Sequence, residues 1–327
     1  MANTFRPYKN YDTPSVVALW NIALTGRGCC KSIKPFFLEM QWFCKPWFDP
    51  RAMTLAFDDE RAPNQQLIGA VLAGFGVSSD RLSLDRQLGV VSMLLVHPDY
   101  RKQGLGAKLL NKAEDYLREN GTTDARFGCN WQRYPYCWGM LGSISPAGVL
   151  KSMTGADQFI QSQGYTPKER YEIYGRAMNQ AVPWGDPRFA HLRRKYEVRL
   201  GPRKVTTLFD EALQGGLETM VFELLETAID RPVAEIRAAE MTQFIGKSQP
   251  PQAGLYGLSV EPELRGQGLG KYLLAQTLQH LNDQLFQQVE TVIPVENTEA
   301  RSLLKGMGFA LIDEGTSYAK DLGQPVR

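Results

Sequence analysis

The chain has 327 residues, 43% hydrophobic and 22% charged, proportions of a globular protein long enough for two domains. A formal net charge of +2 gives no electrostatic basis for binding nucleic acid or a membrane surface. The five cysteines form no CxxC pair, and the three histidines are widely separated; both patterns argue against a disulfide framework and a metal site.

The first 25 residues lack the basic start and apolar core of a secretory leader, and no apolar run reaches the roughly 18 residues of a membrane span. The expectation is a cytoplasmic protein. Helical segments are predicted over Pro14–Ala23 and Ile33–Phe43. The second is rich in aromatics (Phe36, Phe37, Trp42, Phe43, followed by Trp47 and Phe48). Strands follow at Met53–Asp58 and Leu67–Gly74. Gly89–Gly121 then reads GVVSMLLVHPDYRKQGLGAKLLNKAEDYLRENG, and a strand candidate follows at Ala125–Asn130. A polar aromatic stretch holds Tyr134, Tyr136 and Cys137. The segment NQAVPWGDPRF, near residues 178–190, clusters two prolines and a glycine and marks a boundary. Beyond it come a short helical segment at Leu208–Leu213 and strands at Thr219–Glu226 and Val233–Ala239. Gly254–Leu285, GLYGLSVEPELRGQGLGKYLLAQTLQHLNDQL, echoes the earlier unit, and Thr291–Val295 closes the series as a strand.

The echo is a duplication. Each copy has an apolar strand ending in Val-x-Pro (Val96, Pro98; Val260, Pro262), then an arginine, a glycine turn and a helix. The helix spacing is carried by Leu109, Ala113, Tyr116 and Leu117, and by Leu273, Thr277, Leu278 and Leu281. The expected architecture is α/β (α+β): two domains, 1–178 and 179–327, each a mixed, mainly antiparallel sheet flanked by helices.

A strand running through a glycine loop into a helix suits a phosphate group. Glycine allows the backbone to approach a ligand closely, and the first helical N–H groups face outward at the positive end of the dipole. Arg101 with Lys102, or Arg265 with Lys271, add charge. A dinucleotide fingerprint fails because Leu109 and Leu273 occupy the place of its third glycine. The G-x-x-x-x-G-K-[ST] loop of nucleoside-triphosphate sites is absent from both copies.

The two loops, Arg101-Lys-Gln-Gly104-Leu-Gly106 and Arg265-Gly-Gln-Gly268-Leu-Gly270, resemble the R-x-x-G-x-G acetyl-CoA signature of the GNAT superfamily of N-acetyltransferases. A second motif of that family, an asparagine before a helix ending in Gly-Phe, is matched by NTEARSLLKGMGF from Asn297 to Phe309. The first half keeps only its end, at Gly164 and Tyr165. The resemblance covers most of the chain as a tandem pair. It implies that acetyl-CoA is the cosubstrate. Its pyrophosphate would be held by Arg101, Lys102, Gln103, Gly104, Leu105, Gly106 and Ala107, or by Arg265, Gly266, Gln267, Gly268, Leu269, Gly270 and Lys271. Its pantetheine would run beside Leu95 and Val96, or Leu258, Ser259 and Val260, with Asn297 contributing. A backbone N–H would polarise the thioester, and an amine would attack it directly.

Two features depart from the family pattern. Where the family commonly has a tyrosine acid, this chain has Ile160 and Leu304, and neither acetyl-CoA strand carries a carboxylate base. Tyr136 in the first half and Tyr256 in the second are the candidate catalytic acids. In the superfamily the helices before the sheet usually wall the acceptor pocket. That assigns acceptor handling to the first half, while the second half has the better-kept cofactor motifs. The plain readings are that the aromatics at 36–48 form core and that the loop arginines are solvated cations. The function expected is acetyl-CoA-dependent N-acetylation of a small-molecule amine by a monomer or homodimer. The alternatives are an acyl-CoA-binding protein without turnover, or one catalytic half beside a degenerate one.

Overall fold

The computed structural model describes residues 3–24, 26–27, 33–62, 65–128, 147–204, 207, 218–241, 244 and 250–323. In the first half, β1 (Thr4–Pro7) is followed by α1 (Thr13–Ala23), with a proline in its first turn and Val16, Leu19, Trp20 and Ala23 on its buried face. α2 (Pro35–Leu38) continues into a π-helical turn at Glu39–Phe43, so the aromatic segment is helical in two pieces. β2 (Met53–Phe57), β3 (Leu67–Val77) and β4 (Leu84–Val96) form a meander, and β3 is buried along its whole length. α3 (Leu105–Glu119) packs Leu109, Ala113 and Leu117 on that sheet, and β5 (Asp124–Phe127) returns parallel to β4. β6 (Val149–Leu150), α4 (Ala156–Ser162) and β7 (Thr166–Ala177) complete this half.

The second half repeats the plan. α5 (Phe189–Lys195) leads to β8 (Tyr196–Pro202), β9 (Thr219–Glu226), β10 (Arg231–Glu240) and β11 (Gln252–Val260). α6 (Leu269–Asp283) buries Leu273, Thr277, Leu278 and Leu281, the predicted face. β12 (Gln288–Pro294), α7 (Thr298–Gly306) and β13 (Ala310–Asp321) follow.

All thirteen strands among the described residues belong to one sheet, ordered β1-β2-β3-β4-β5-β13-β7-β12-β11-β10-β9-β8, with β6 beside β13. The β4–β5 and β11–β12 pairs are parallel and the rest antiparallel. The last strands of the two halves are exchanged. β13, from the end of the chain, pairs β5; β7, from the first half, pairs β12; and the two pair each other at the centre. The predicted boundary at residue 178 therefore falls just after a strand whose partners all lie in the second half. The layers also interlock, since the α1–α2 core of the first half includes Ala239, Met241, Phe244 and Tyr256.

Candidate active site

Each half ends its apolar strand in a proline-led turn, Pro98–Tyr100 or Pro262–Leu264, that aims the chain into the glycine loop. Arg101 Nε and Arg265 Nε each donate to the carbonyl of the last strand residue, Val96 or Val260, at 3.2 Å. Arg101 Nη2 donates also to the Ala23 carbonyl at the end of α1, at 2.7 Å. Gln103 Nε2 donates to the Asp99 carbonyl at 2.7 Å, and Gln267 Nε2 to that of Glu263 at 3.5 Å. The signature arginines thus brace the loop against its own strand, and the glutamines brace it against the proline-led turn.

Gly104 and Gly268 cap the helices with φ of +81° and +89°, the left-handed region in which a side chain is strained. The first intrahelical bonds run from Lys108 N to Gly104 O and from Tyr272 N to Gly268 O. The N–H groups of Leu105, Gly106 and Ala107, and of Leu269, Gly270 and Lys271, therefore point outward without intrahelical acceptors. Both loops are geometrically able to take an anion.

Beside the second loop the sheet splays, and in the first half the pairing among the described residues stops at the equivalent place. Among the described residues the last β4–β5 pair in register is Val91 with Phe127, and β4 runs on to Val96. The last β11–β12 pair is Leu255 with Thr291, yet β11 runs on to Val260. Immediately past each point is a bulge. Ser92 is the extra residue between the Leu72–Met93 and Ala73–Val91 pairs. In the second half, two residues of β11, Gly257 and Leu258, lie between the Arg237–Tyr256 and Glu235–Ser259 pairs, and Gly257 has φ of +69°. A bulge turns backbone groups out of the ladder. Leu95 and Val96, or Ser259 and Val260, meanwhile keep β3 or β10 on one edge and present the other to the gap.

The two gaps differ in what faces them. Val90, Leu72 and Met93 of the first half are packed into the core beneath α1 and α2, with Trp20 and Trp42 each 1% exposed and in edge contact at 5.6 Å between ring centroids. The corresponding face of the second half joins the same core through Tyr256 but adds charged groups. Tyr256, the first β11 residue beyond its last β12 partner, is 6% exposed, and burial pushes its hydroxyl pKa up. Beside it, Arg237 Nε donates to Glu235 Oε1 at 2.6 Å. Two residues earlier, Gly254 lies opposite Glu290 of β12, so that carboxylate and Tyr256 share a face. Burial raises the Glu290 pKa, opposed by Arg27, whose Nη2 lies 2.9 Å from Glu290 Oε1 and whose Nε lies 3.8 Å from Asp313 Oδ2. Arg27 comes from the first half, just after α1. Phe37 of α2 meets Phe244 at 5.1 Å between ring centroids, so first-half helices flank the second-half gap.

The structure brings together the loop and strand residues singled out in each copy. Ile160 and Leu304 are core residues, 1% and 5% exposed. Asn297 spends its side-chain oxygen capping α7, accepting from Ala300 N at 3.0 Å. Tyr136, with Tyr134, Cys137 and Leu208–Leu213, lies outside the described residues. The aromatics Trp42, Phe37, Phe43, Trp47 and Phe48 are core or pack against it. Ser92, Arg27 and Glu290 were not singled out from sequence. Ser92 was within reach of it: Ser92 stands where Tyr256 stands when the loop arginines are aligned, and its Oγ is shielded from solvent.

Comparison with known proteins agrees with this geometry. The model of the acetyltransferase (GNAT) family matches residues 17–128 and again 187–309. The chain belongs to this family. It is a tandem member and an acyltransferase by kind, and proteins of this fold take acyl-CoA cosubstrates. Two curated relatives are named mycothiol acetyltransferase. One, from Saccharomonospora viridis, is 24% identical over 245 residues, covering 70% of this chain and 74% of the relative. The other, from Pseudarthrobacter chlorophenolicus, is 26% identical over 281 residues, covering 83% and 81%. Among solved structures, a tandem GNAT protein from the clavulanic acid biosynthesis pathway superposes with a TM-score of 0.69. It is 14% identical and covers 98% of this chain and 99% of its own. No helix among the described residues is long and apolar enough to cross a membrane.

Proposed function

We propose that this GNAT protein is an acetyl-CoA-dependent N-acetyltransferase acting on the primary amine of a small molecule, with transfer centred on the second half. The observation that carries the reading is the contrast between the two gaps. Among the described residues the first is lined by the apolar core under Trp20 and Trp42, whereas at the second the Tyr256 ring joins the edge of that core while Arg237, Glu290 and Arg27 add charged groups around it. The naming of two relatives for acetyl transfer to a small molecule supports it. On this reading the first half is the non-catalytic partner, keeping its own loop and lending α1, α2 and Arg27 to the working site.

The chemistry asked of the chain is limited. Loop N–H groups from Leu269 to Lys271 hold the pyrophosphate, and the bulge at Gly257–Leu258 offers an N–H to the thioester oxygen. The neutral amine attacks the carbonyl carbon, the C–N bond forms and the C–S bond breaks. The ammonium proton passes to Glu290, directly or through one water, and the Tyr256 hydroxyl gives the departing thiolate its proton. Burial brings the Glu290 pKa up towards neutral pH, which suits a base, while Tyr256 is protonated at neutral pH with or without its upward shift. Thiol release from acetyl-CoA, followed across amino sugars, polyamines and aminoacyl conjugates, tests the reading. Release with at least one amine is expected; tight acetyl-CoA binding without release for any would make the protein an acyl-CoA-binding module.

A further inference from the structure

The two glycine loops are near copies in sequence, but they differ in what lies over them. At Gly104 an added side-chain carbon would meet nothing within 4 Å among the described residues. At Gly268 it would lie 2.9 Å from Cζ and 3.0 Å from Nε of Arg188, so a guanidinium rests on the loop of the second half. Arg188 Nη1 donates to the Gly266 carbonyl at 3.2 Å, fixing it there. A second cation comes from the helix itself, because Lys271 stands where the first half has Ala107. Between them lies Asp186. Its Oδ2 is 2.8 Å from Arg188 Nη2 and 3.1 Å from Lys271 Nζ, and its Oδ1 accepts from the Arg188 backbone N–H at 3.1 Å. The Asp186 side chain is 6% exposed, whereas those of Arg188 and Lys271 are 49% and 31% exposed.

This arrangement has a chemical consequence. A carboxylate shared by two cations at the mouth of an anion-accepting loop matches a phosphate oxygen in charge and in hydrogen-bonding capacity. Both cations remain accessible from solvent while the carboxylate is tucked beneath them, so a diphosphate approaching the loop meets them first. We propose that Arg188 and Lys271 are phosphate ligands peculiar to the second loop, and that Asp186 is their internal counter-ion, which the cosubstrate's pyrophosphate displaces. This rests on the acetyl-CoA reading and deepens it. The first loop, lacking the pair, holds the same ligand by backbone and loop cations alone. Asp186 has two opposed effects: it keeps Arg188 poised, and it competes with the ligand. Neutralising it therefore strengthens phosphate binding, while removing Arg188 weakens it.

The test is calorimetric titration with acetyl-CoA, and separately with S-acetylpantetheine, which has no phosphate, in full-length protein carrying Gly104→Glu to silence the first loop. Arg188→Gln in that background should lose about tenfold in affinity for acetyl-CoA, the scale of one charge-assisted hydrogen bond. Its S-acetylpantetheine response should not move. Asp186→Asn should tighten acetyl-CoA binding severalfold. Arg188 lies at the surface and Asp186 just beneath it, and opposite signs from two neighbouring substitutions cannot come from misfolding. The proposal is overturned if Arg188→Gln leaves acetyl-CoA affinity unchanged or improves it, the behaviour of a plug, or if Asp186→Asn weakens it. Absence of acetyl-CoA binding in the Gly104→Glu protein, with its second loop intact, would instead bring down the parent reading, and this one with it.

Discussion

Cutting the chain at the predicted boundary tests the strand exchange, because it leaves each half without a central strand. A fragment of residues 1–178 keeps β7, whose partners are β12 and β13, and loses β13, the partner of β5. Tyr171, Ile173 and Tyr174 of β7 are 8%, 2% and 1% exposed in the whole chain and would lose their neighbours. The α3 core would lose Tyr318 and Leu322. At about 1.5–3 kcal/mol for each large apolar side chain, the five together represent about 7–15 kcal/mol. That is the order of a domain's entire stability, about 5–15 kcal/mol. Expressed alone, 1–178 and 179–327 should each lack a cooperative thermal transition and near-ultraviolet dichroism. Refolded together, they should recover both as a one-to-one complex. A cooperatively folded 1–178 fragment, monomeric by sedimentation, would refute the reasoning.

Other outcomes follow from single side chains. Trp42→Ala should cost about 3–5 kcal/mol by denaturant melt, as for other large buried aromatics, because it hollows the core on which both halves rest. Tyr256→Phe should lower kcat by about a hundredfold or more while leaving the KM for acetyl-CoA unchanged, since it removes a proton donor and little packing. Glu290→Gln should abolish the acid limb of the kcat/KM profile, because the wild-type base loses activity as pH falls through a carboxyl pKa held above its usual range. Tyr116, Tyr165, Tyr256 and Tyr318 all have pKa values raised by burial above the ordinary value near 10, so the folded state holds those protons more tightly than the unfolded one. Their contribution to stability is complete below about pH 10 and is lost as pH rises beyond it. Their ultraviolet ionisation should accordingly coincide with alkaline unfolding rather than precede it.

The units readable from sequence were those whose pattern is local. The strand–loop–helix copies announced themselves because Val-x-Pro, the glycines and the 3.6-residue spacing of α3 and α6 fall within some thirty residues. β7 and β13 did not. β7 opens with five exposed residues, Thr166–Arg170. β13 carries Asp313, Glu314 and Lys320, whose partners Ser152, Lys151 and Glu114 are more than a hundred residues away. Charges satisfied at that distance look, locally, like a solvated loop. The face proposed to work was hidden for the same reason, since Arg27 and Glu290 come from opposite ends of the chain. The aromatic helix and its reading as core were legible; that this core abuts Tyr256 of the other half was not.

On the proposed function, the second loop serves the chemistry and the first does not. Acetyl transfer to an amine the wild type accepts, measured for Gly104→Glu and Gly268→Glu side by side, tests it most directly. Both substitutions place a side chain at a left-handed glycine, at φ of +81° and +89°, so their backbone strain is matched. The prediction is that Gly268→Glu loses transfer by about a hundredfold or more, the scale of a disabled anion-holding site, while Gly104→Glu keeps most of it. Full transfer by Gly268→Glu, with loss in Gly104→Glu, would contradict the claim and move the chemistry to the first half.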